Sequence, residues 1–220
     1  MKIGNIDLKW LGHSGFLIEN GKKIYIDPYN LSGERPKADI ILITHSHYDH
    51  CSIADLQKIV RKGTVVVVSP DCQSKITKLN DVDMQIMESG DEVNIQGVKI
   101  QTVPAYNPEK TFHPKDENWQ GYIVKFENTI IYHAGDTDVI PEMQKLTGYG
   151  KQGNEFVALL PVGGKFTMNF EEAVNAAIMI KPTIAIPMHY GSVTGSDEDA
   201  DNFVKLCKEK GINAVKLVKE

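Results

Sequence analysis

Apolar positions along the chain change period several times, and each change marks an element. Residues 38–44 (ADIILIT) and 64–69 (TVVVVS) run almost without polar interruption, which predicts short strands covered on both faces. Residues 6–12 (IDLKWLG) and 15–27 (GFLIENGKKIYID) read as strands, with Asn20-Gly21 as a hairpin turn. Residues 84–105 read as short strands broken by Gly turns, and 119–136 as a second hairpin turning at Glu127-Asn128. EFVALLPV (155–162) and TIAIPMHYG (183–191) each predict a strand, the latter running into a loop. Helical spacing appears in 52–63, where Ile53, Leu56, Ile59 and Val60 share a face before Gly63. Residues 71–80 predict a short helix. A third helix spans 169–182, with Asn169 as N-cap and Pro182 beyond its end. An amphipathic helix follows at 196–211, and NAVKLV (213–218) predicts a last strand.

The order is strands, then mixed strand and helix, twice over. Two sheets packed face to face, with helices outside, satisfy that order. A doubly wound parallel sheet fits less well: the hairpins are antiparallel, and no Gly-rich nucleotide loop follows the first strand. Neither a linker nor a low-complexity segment divides the chain, so its 220 residues predict one domain, 1–220.

Composition changes this picture little. Hydrophobic residues make up 41% and charged residues 24%, ordinary values for a globular chain. A net charge of −5 lacks the basic stripe that phosphate backbones require, so no nucleic-acid partner is expected. No apolar run approaches the roughly 18 residues of a membrane span. The opening residues carry charge and Gly too early for a signal peptide. Cys51, Cys72 and Cys207 are few and form no CxxC, so reduced thiols in a cytoplasm are expected.

Chemistry concentrates in THSHYDH, residues 44–50, which holds three of the chain's seven histidines. His45 and His47 are two apart directly after an apolar strand. Alternate residues of extended chain point to one side, so both imidazoles can face one ion. Asp49 and His50 lie where the chain turns, and can face a second. Imidazole and carboxylate suit zinc, iron or manganese. Asp136 and His189 end two other predicted strands, in YHAGDTD and IPMHYG. A surface loop or a pH-sensing cluster explains that convergence less well.

Together, WLGHSGF, THSHYDH, YHAGDTD and IPMHYG resemble the metallo-β-lactamase fold superfamily, from residue 10 to about 191. LLPVGGKFTMNFEEA and IPMHYG are similar to one branch: small metal-dependent hydrolases related to the L-ascorbate-6-phosphate lactonases. The resemblance implies an α+β fold, a four-layer αβ/βα sandwich with metals at one edge of the sheets. It implies His45 and His47 as ligands of a first metal, and Asp49, His50 and His189 of a second. Asp136 matches the bridging carboxylate. Asp27 matches an acid that orients a metal-bound histidine, although before Pro28 it also reads as a turn residue. Two divalent ions are implied, zinc first, with manganese, nickel or iron as alternatives.

This chain departs from the pattern after TVPA. Position 107 holds Asn, and His113, six residues on, is the candidate to complete the first site. If neither binds, one-metal occupancy follows. His13 reads either as a histidine behind the metals or as a packed turn residue. Asn107, His133 and Lys165 are candidates for touching substrate. Lys165 sits in the Gly-rich stretch PVGGKFTM, where Gly permits close approach to a ligand. Cys51 is expected to be buried packing.

The expected activity is hydrolysis of a small ester, lactone or phosphodiester by a metal-bound hydroxide, with Asp49 holding or shuttling the proton. Two alternatives stand beside it: an iron-dependent oxidoreductase on the same scaffold, and a non-catalytic metal-binding module motivated by Asn107. A homo-oligomer is also an expectation, since related lactonases assemble.

Overall fold

A computed structural model describes residues 1–151 and 153–220. Two mixed sheets form, each an antiparallel meander continued by parallel strands. The first runs in order through β1 (Lys2–Ile3), β2 (Ile6–Gly12), β3 (Gly15–Glu19), β4 (Lys23–Ile26), β5 (Ile40–Ile43), β6 (Thr64–Val68) and β7 (Val82–Ile86). It is antiparallel from β1 to β4 and parallel from β4 to β7. The second contains β8 (Glu92–Ile95), β9 (Val98–Pro104), β10 (Gln120–Lys125), β11 (Thr129–His133), β12 (Glu155–Pro161) and β13 (Ile184–Met188). It is antiparallel from β8 to β11, then parallel to β13.

Strand alternation sets the layers. Ile40 and Leu42 of β5 enter the large core that includes the second sheet, as do Phe16, Ile18, Ile24 and Ile26. Their alternates Leu17, Tyr25, Ile41 and Ile43 pack instead with Leu56 and Ile59 of α1 (Ile53–Ile59) and Ile76 of α2 (Gln73–Ile76). Period-2 geometry thus explains why these strands read as continuous apolar runs. On the second sheet, α3 (Phe170–Ile180) and α4 (Asp197–Glu209) pack against β12, β13 and each other. The result is the expected helix–sheet–sheet–helix sandwich. A buried hydrogen bond from the Tyr122 hydroxyl to the Ile43 carbonyl (2.7 Å) joins the two sheets near the edge where the histidines gather.

Local signals match the structure where local energetics dominate. Asn169 caps α3 in a reciprocal capping box with Glu172, and Ser196 does the same for α4 with Asp199. Two expectations are corrected. The helix predicted to reach Gly63 ends at Ile59, because the Ala38 N–H takes the Ile59 carbonyl (2.8 Å). Residues 213–218 form no strand. They make one bridge, from Ala214 to Ala185, while Lys219 bridges to Trp10. Among the described residues, no helix is long and apolar enough to cross a membrane.

Gly121 marks a close approach between β10 and the end of β11. A Cβ there would lie 2.5 Å from the His133 carbonyl oxygen and 2.7 Å from that of Ala134, both backbone atoms in the core. Gly121→Ala should therefore cost about 1–3 kcal/mol through overpacking. Thermal unfolding should show a Tm lower by several degrees; an unchanged Tm contradicts this packing.

Candidate metal centre

The parallel strands β4, β5, β11 and β13 end at one common edge, and the candidate residues lie just beyond those ends. Asp27 follows β4, residues 44–50 follow β5, Asp136 follows β11, and His189 follows β13. His13 lies in the turn joining β2 to β3, and its carbonyl accepts the His189 N–H (2.9 Å). His13, Asp27 and His189 hold left-handed backbone, with φ of 52°, 43° and 58°. Non-glycine residues in that region are strained and tend to cluster at functional sites.

Asp136 is the meeting point. Its Oδ2 lies 3.1 Å from His189 Nε2, 3.2 Å from His113 Nε2 and 4.0 Å from His45 Nε2. Its Oδ1 lies 3.3 Å from His50 Nε2. Three overlapping donor groups, each with atoms within 4.8 Å of one another, surround it: His45, His47 and His113; His45, His50 and Asp136; and His13, Asp49, His50 and His189.

Second partners choose the tautomers. Fully buried Asp27 accepts the Thr44 N–H (2.9 Å), the Thr44 hydroxyl (2.7 Å) and His50 Nδ1–H (2.7 Å). The Thr44 hydroxyl in turn accepts His45 Nδ1–H (2.9 Å). His113 Nδ1–H donates to Asn107 Oδ1 (2.7 Å) and to the Phe166 carbonyl (3.1 Å). In each case the partner holds an Nδ1–H, so Nε2 is the atom that faces the cluster. The Nε2 atoms of His50, His113 and His189 and Oδ1 of Asp136 are buried, and although nitrogen and carboxylate lie 3.1–3.3 Å apart they form no aligned hydrogen bond among the described residues. Such orphaned atoms are costly, about 1–3 kcal/mol each, unless something else binds them. Their chemistry, imidazole nitrogen and carboxylate oxygen, fits zinc, iron or manganese. By this test the residues present suit a metal centre.

Electrostatics point the same way. Burial holds His45 well below the ordinary imidazole range, reinforced by charge on His50. Burial also brings His13 down to about 4, only partly offset by its hydrogen bond to Asp49. Burial raises Asp49, but the His13 hydrogen bond (2.9 Å) and the charge of His50 outweigh it and bring the carboxyl to about 2. Asp136 is also opposed by burial, yet His189 and His50 hold it well below the usual carboxylate range. His50 is the exception. Burial lowers it, but Asp136 and Asp27 outweigh burial and hold it well above the usual value. Cation binding at its Nε2 must therefore release a proton.

Three of the sequence expectations for substrate contact are corrected. Asn107 is buried behind His113 and orients it. His133 is fully buried, with Nε2–H donating to the Ser14 carbonyl (2.9 Å) and Nδ1 accepting the Gly135 N–H (3.2 Å). Both its nitrogens are used, so it braces the turn that leads to Asp136. Lys165 is exposed and is not among the residues that line the cleft; its Nζ packs 4.8 Å over the Phe166 ring. The Gly-rich stretch serves His189 rather than a ligand: a Cβ at Gly163 would lie 2.5 Å from the His189 carbonyl oxygen. His13, read as lying behind the metals, joins a donor group itself. Cys51 is buried and free, as expected.

Sequence reasoning missed Trp119 and Asp71. The Trp119 ring packs on His45, with centroids 4.8 Å apart, and its Nε1–H donates to Asp71 (2.7 Å). Asp71 also accepts the Ser46 N–H (3.0 Å), fixing the backbone between His45 and His47. These contacts join positions 48 and 25 residues apart, beyond the reach of any local pattern. Tyr48, Phe112, Phe166 and Val193, which line the cleft beside the donors, were missed likewise.

Fold and donor cluster together are those of the metallo-β-lactamase fold, with a donor set suited to metal ions. Residues 7–189 match the β-lactamase superfamily domain, and the chain belongs to that family. It is 40% identical over 215 residues to a UPF0173 metal-dependent hydrolase of Thermococcus kodakarensis, covering 93% of each chain. A crystal structure described as a metal-dependent hydrolase from Parabacteroides distasonis superposes with a TM-score of 0.83 at 30% identity, over 96% of this chain and 92% of that one. A metallo hydrolase of Ignicoccus hospitalis superposes with a TM-score of 0.75 at 25% identity, over 97% and 95%.

Asp27→Asn keeps shape but removes the charge that holds Thr44 and His50. Zinc affinity, measured by competition with a chromophoric chelator, should fall about 10–100-fold, with the fold retained by circular dichroism. Unchanged affinity contradicts the orienting role.

Proposed function

We propose that this chain is a hydrolase that adds water to an ester, lactone or phosphodiester at a centre for two divalent cations. The observation that carries this reading is the set of buried, unpartnered Nε2 atoms around Asp136, beside an open cleft. His45, His47 and His113 would hold a first ion. Asp49, His50 and His189 would hold a second, with His13 alongside and Asp136 between the two. Zinc is the first choice; manganese, nickel and iron suit the same donors. When bound, such ions lower the pKa of water and polarise the oxygen of the scissile group.

The chain's own residues do the rest. Asp27, through Thr44 and His50, and Asn107, through His113, keep each Nε2 pointed inward. Trp119 covers His45 and His47 and keeps water from their far side. Asp49 lines the cleft with Oδ2 fixed by His13. Its Oδ1 is the group to take the proton of the attacking water and pass it to the leaving oxygen. The reason to expect a non-catalytic module was Asn107; the presence of His113 in a donor group with His45 and His47 favours the catalytic reading.

Chelated protein should lose turnover on a panel of aryl esters, lactones and phosphodiesters, and regain it with added zinc or manganese. His113→Ala should lose more than the roughly 10–100-fold typical of an orienting residue. Verified metal-free protein with unchanged turnover contradicts the proposal.

A further inference from the structure

We infer that the centre acts on a small, uncharged carboxylic ester, open-chain or cyclic, whose acyl group is apolar. This rests on the hydrolase reading and narrows it. The cleft beside the donors has a volume of about 210 Å³. That is below the roughly 300–1,000 Å³ of sites for drug-sized ligands, so the enclosed part of the substrate is small.

Its apolar lining is Tyr48, Phe112, Phe166 and Val193. Phe112 and Phe166 meet edge to face, centroids 4.7 Å apart, and act as one surface. Tyr48 is 62% exposed and Phe112 43% exposed, which places two large hydrophobic side chains in water at the mouth of the cleft. Exposed apolar surface beside a polar site marks a place where a ligand is covered. Phe166 also accepts the His113 Nδ1–H through its carbonyl (3.1 Å). One residue therefore both forms the apolar wall and positions a donor, which sets an acyl group on that wall next to the reacting carbon.

Beyond the cations themselves, the cleft offers a phosphate no positive side chain: among the described residues, no Lys or Arg lines this cleft, and its carboxylates Asp49 and Asp136 belong to the donor set. The nearby lysines are committed elsewhere. Lys110 binds Asp138 and the Thr167 carbonyl, Lys75 binds the Ser46 carbonyl, and Lys165 rests its Nζ over the Phe166 ring. A substrate bearing several phosphates would find no side-chain cation to pair with.

The reaction balances as addition of water. The acyl carbon gains a C–O bond to the water oxygen and loses its bond to the alkoxy oxygen. That oxygen takes one proton, and the other is released as the acid ionises. Products are an alcohol, or a hydroxy acid from a cyclic ester, and a carboxylate.

The test uses zinc-loaded full-length protein with p-nitrophenyl acetate, butyrate and hexanoate, bis-p-nitrophenyl phosphate and p-nitrophenyl phosphate. For the esters, kcat/KM should rise about two- to fourfold per added methylene, and both phosphates should be at least about a hundredfold poorer. The double variant Tyr48→Ser/Phe112→Ser, at exposed positions, should flatten the chain-length response by raising KM for hexanoate, with zinc content and Tm unchanged. Preference for the phosphodiester, or a flat chain-length response in the unsubstituted protein, overturns the inference and leaves the hydrolase reading standing. No turnover of any substrate with zinc bound overturns both.

Discussion

Asp27 is the constraint on which the site depends. Its carboxylate is fully buried, yet it is satisfied by Thr44 and His50, and through Thr44 it reaches His45. A buried charge of this kind is tolerable only when several donors converge on it. The donors come from the end of β5 and the loop after it, while Asp27 ends β4. The bond that places the histidines is thus also one that closes the sheet edge. Imidazoles that would otherwise turn toward any nearby acceptor are held with Nε2 facing Asp136.

The sandwich exists to make that edge. Both sheets are driven together by apolar faces, and the Tyr122–Ile43 bond joins them where β10 approaches β5. Strained residues, His13, Asp27 and His189, sit where the strands hand over to loops. The large core offsets their strain and the burial of unpaired polar atoms. Stability and site geometry therefore lie on the same strands, and the cleft borrows its rigidity from the core beneath it.

Much of this was legible in the residues. Layering followed from the apolar runs at 38–44 and 64–69, and the cap Asn169 obeyed local chemistry. His45 and His47 announced themselves by spacing; Asp136 and His189 needed the resemblance as well. The choice between Asn107 and His113 could not be read, because residues 105–118 carry no periodicity and the two side chains act as a pair. His133 and Lys165 looked like substrate contacts from their neighbours in sequence. Burial and a cation–π contact put them elsewhere. NAVKLV has strand composition, yet makes a single bridge, from Ala214 to Ala185 on the edge strand β13, rather than a ladder. Trp119 and Asp71 were invisible because their role exists only once distant strands meet.

The central claim is that these nitrogens and oxygens converge on cations. Anomalous diffraction at the zinc edge, from crystals of zinc-equilibrated protein, tests it most directly. The account requires two peaks flanking Asp136, one near His45, His47 and His113 and the other near Asp49, His50 and His189. Ordered side chains at those positions with no anomalous peak between them would contradict it.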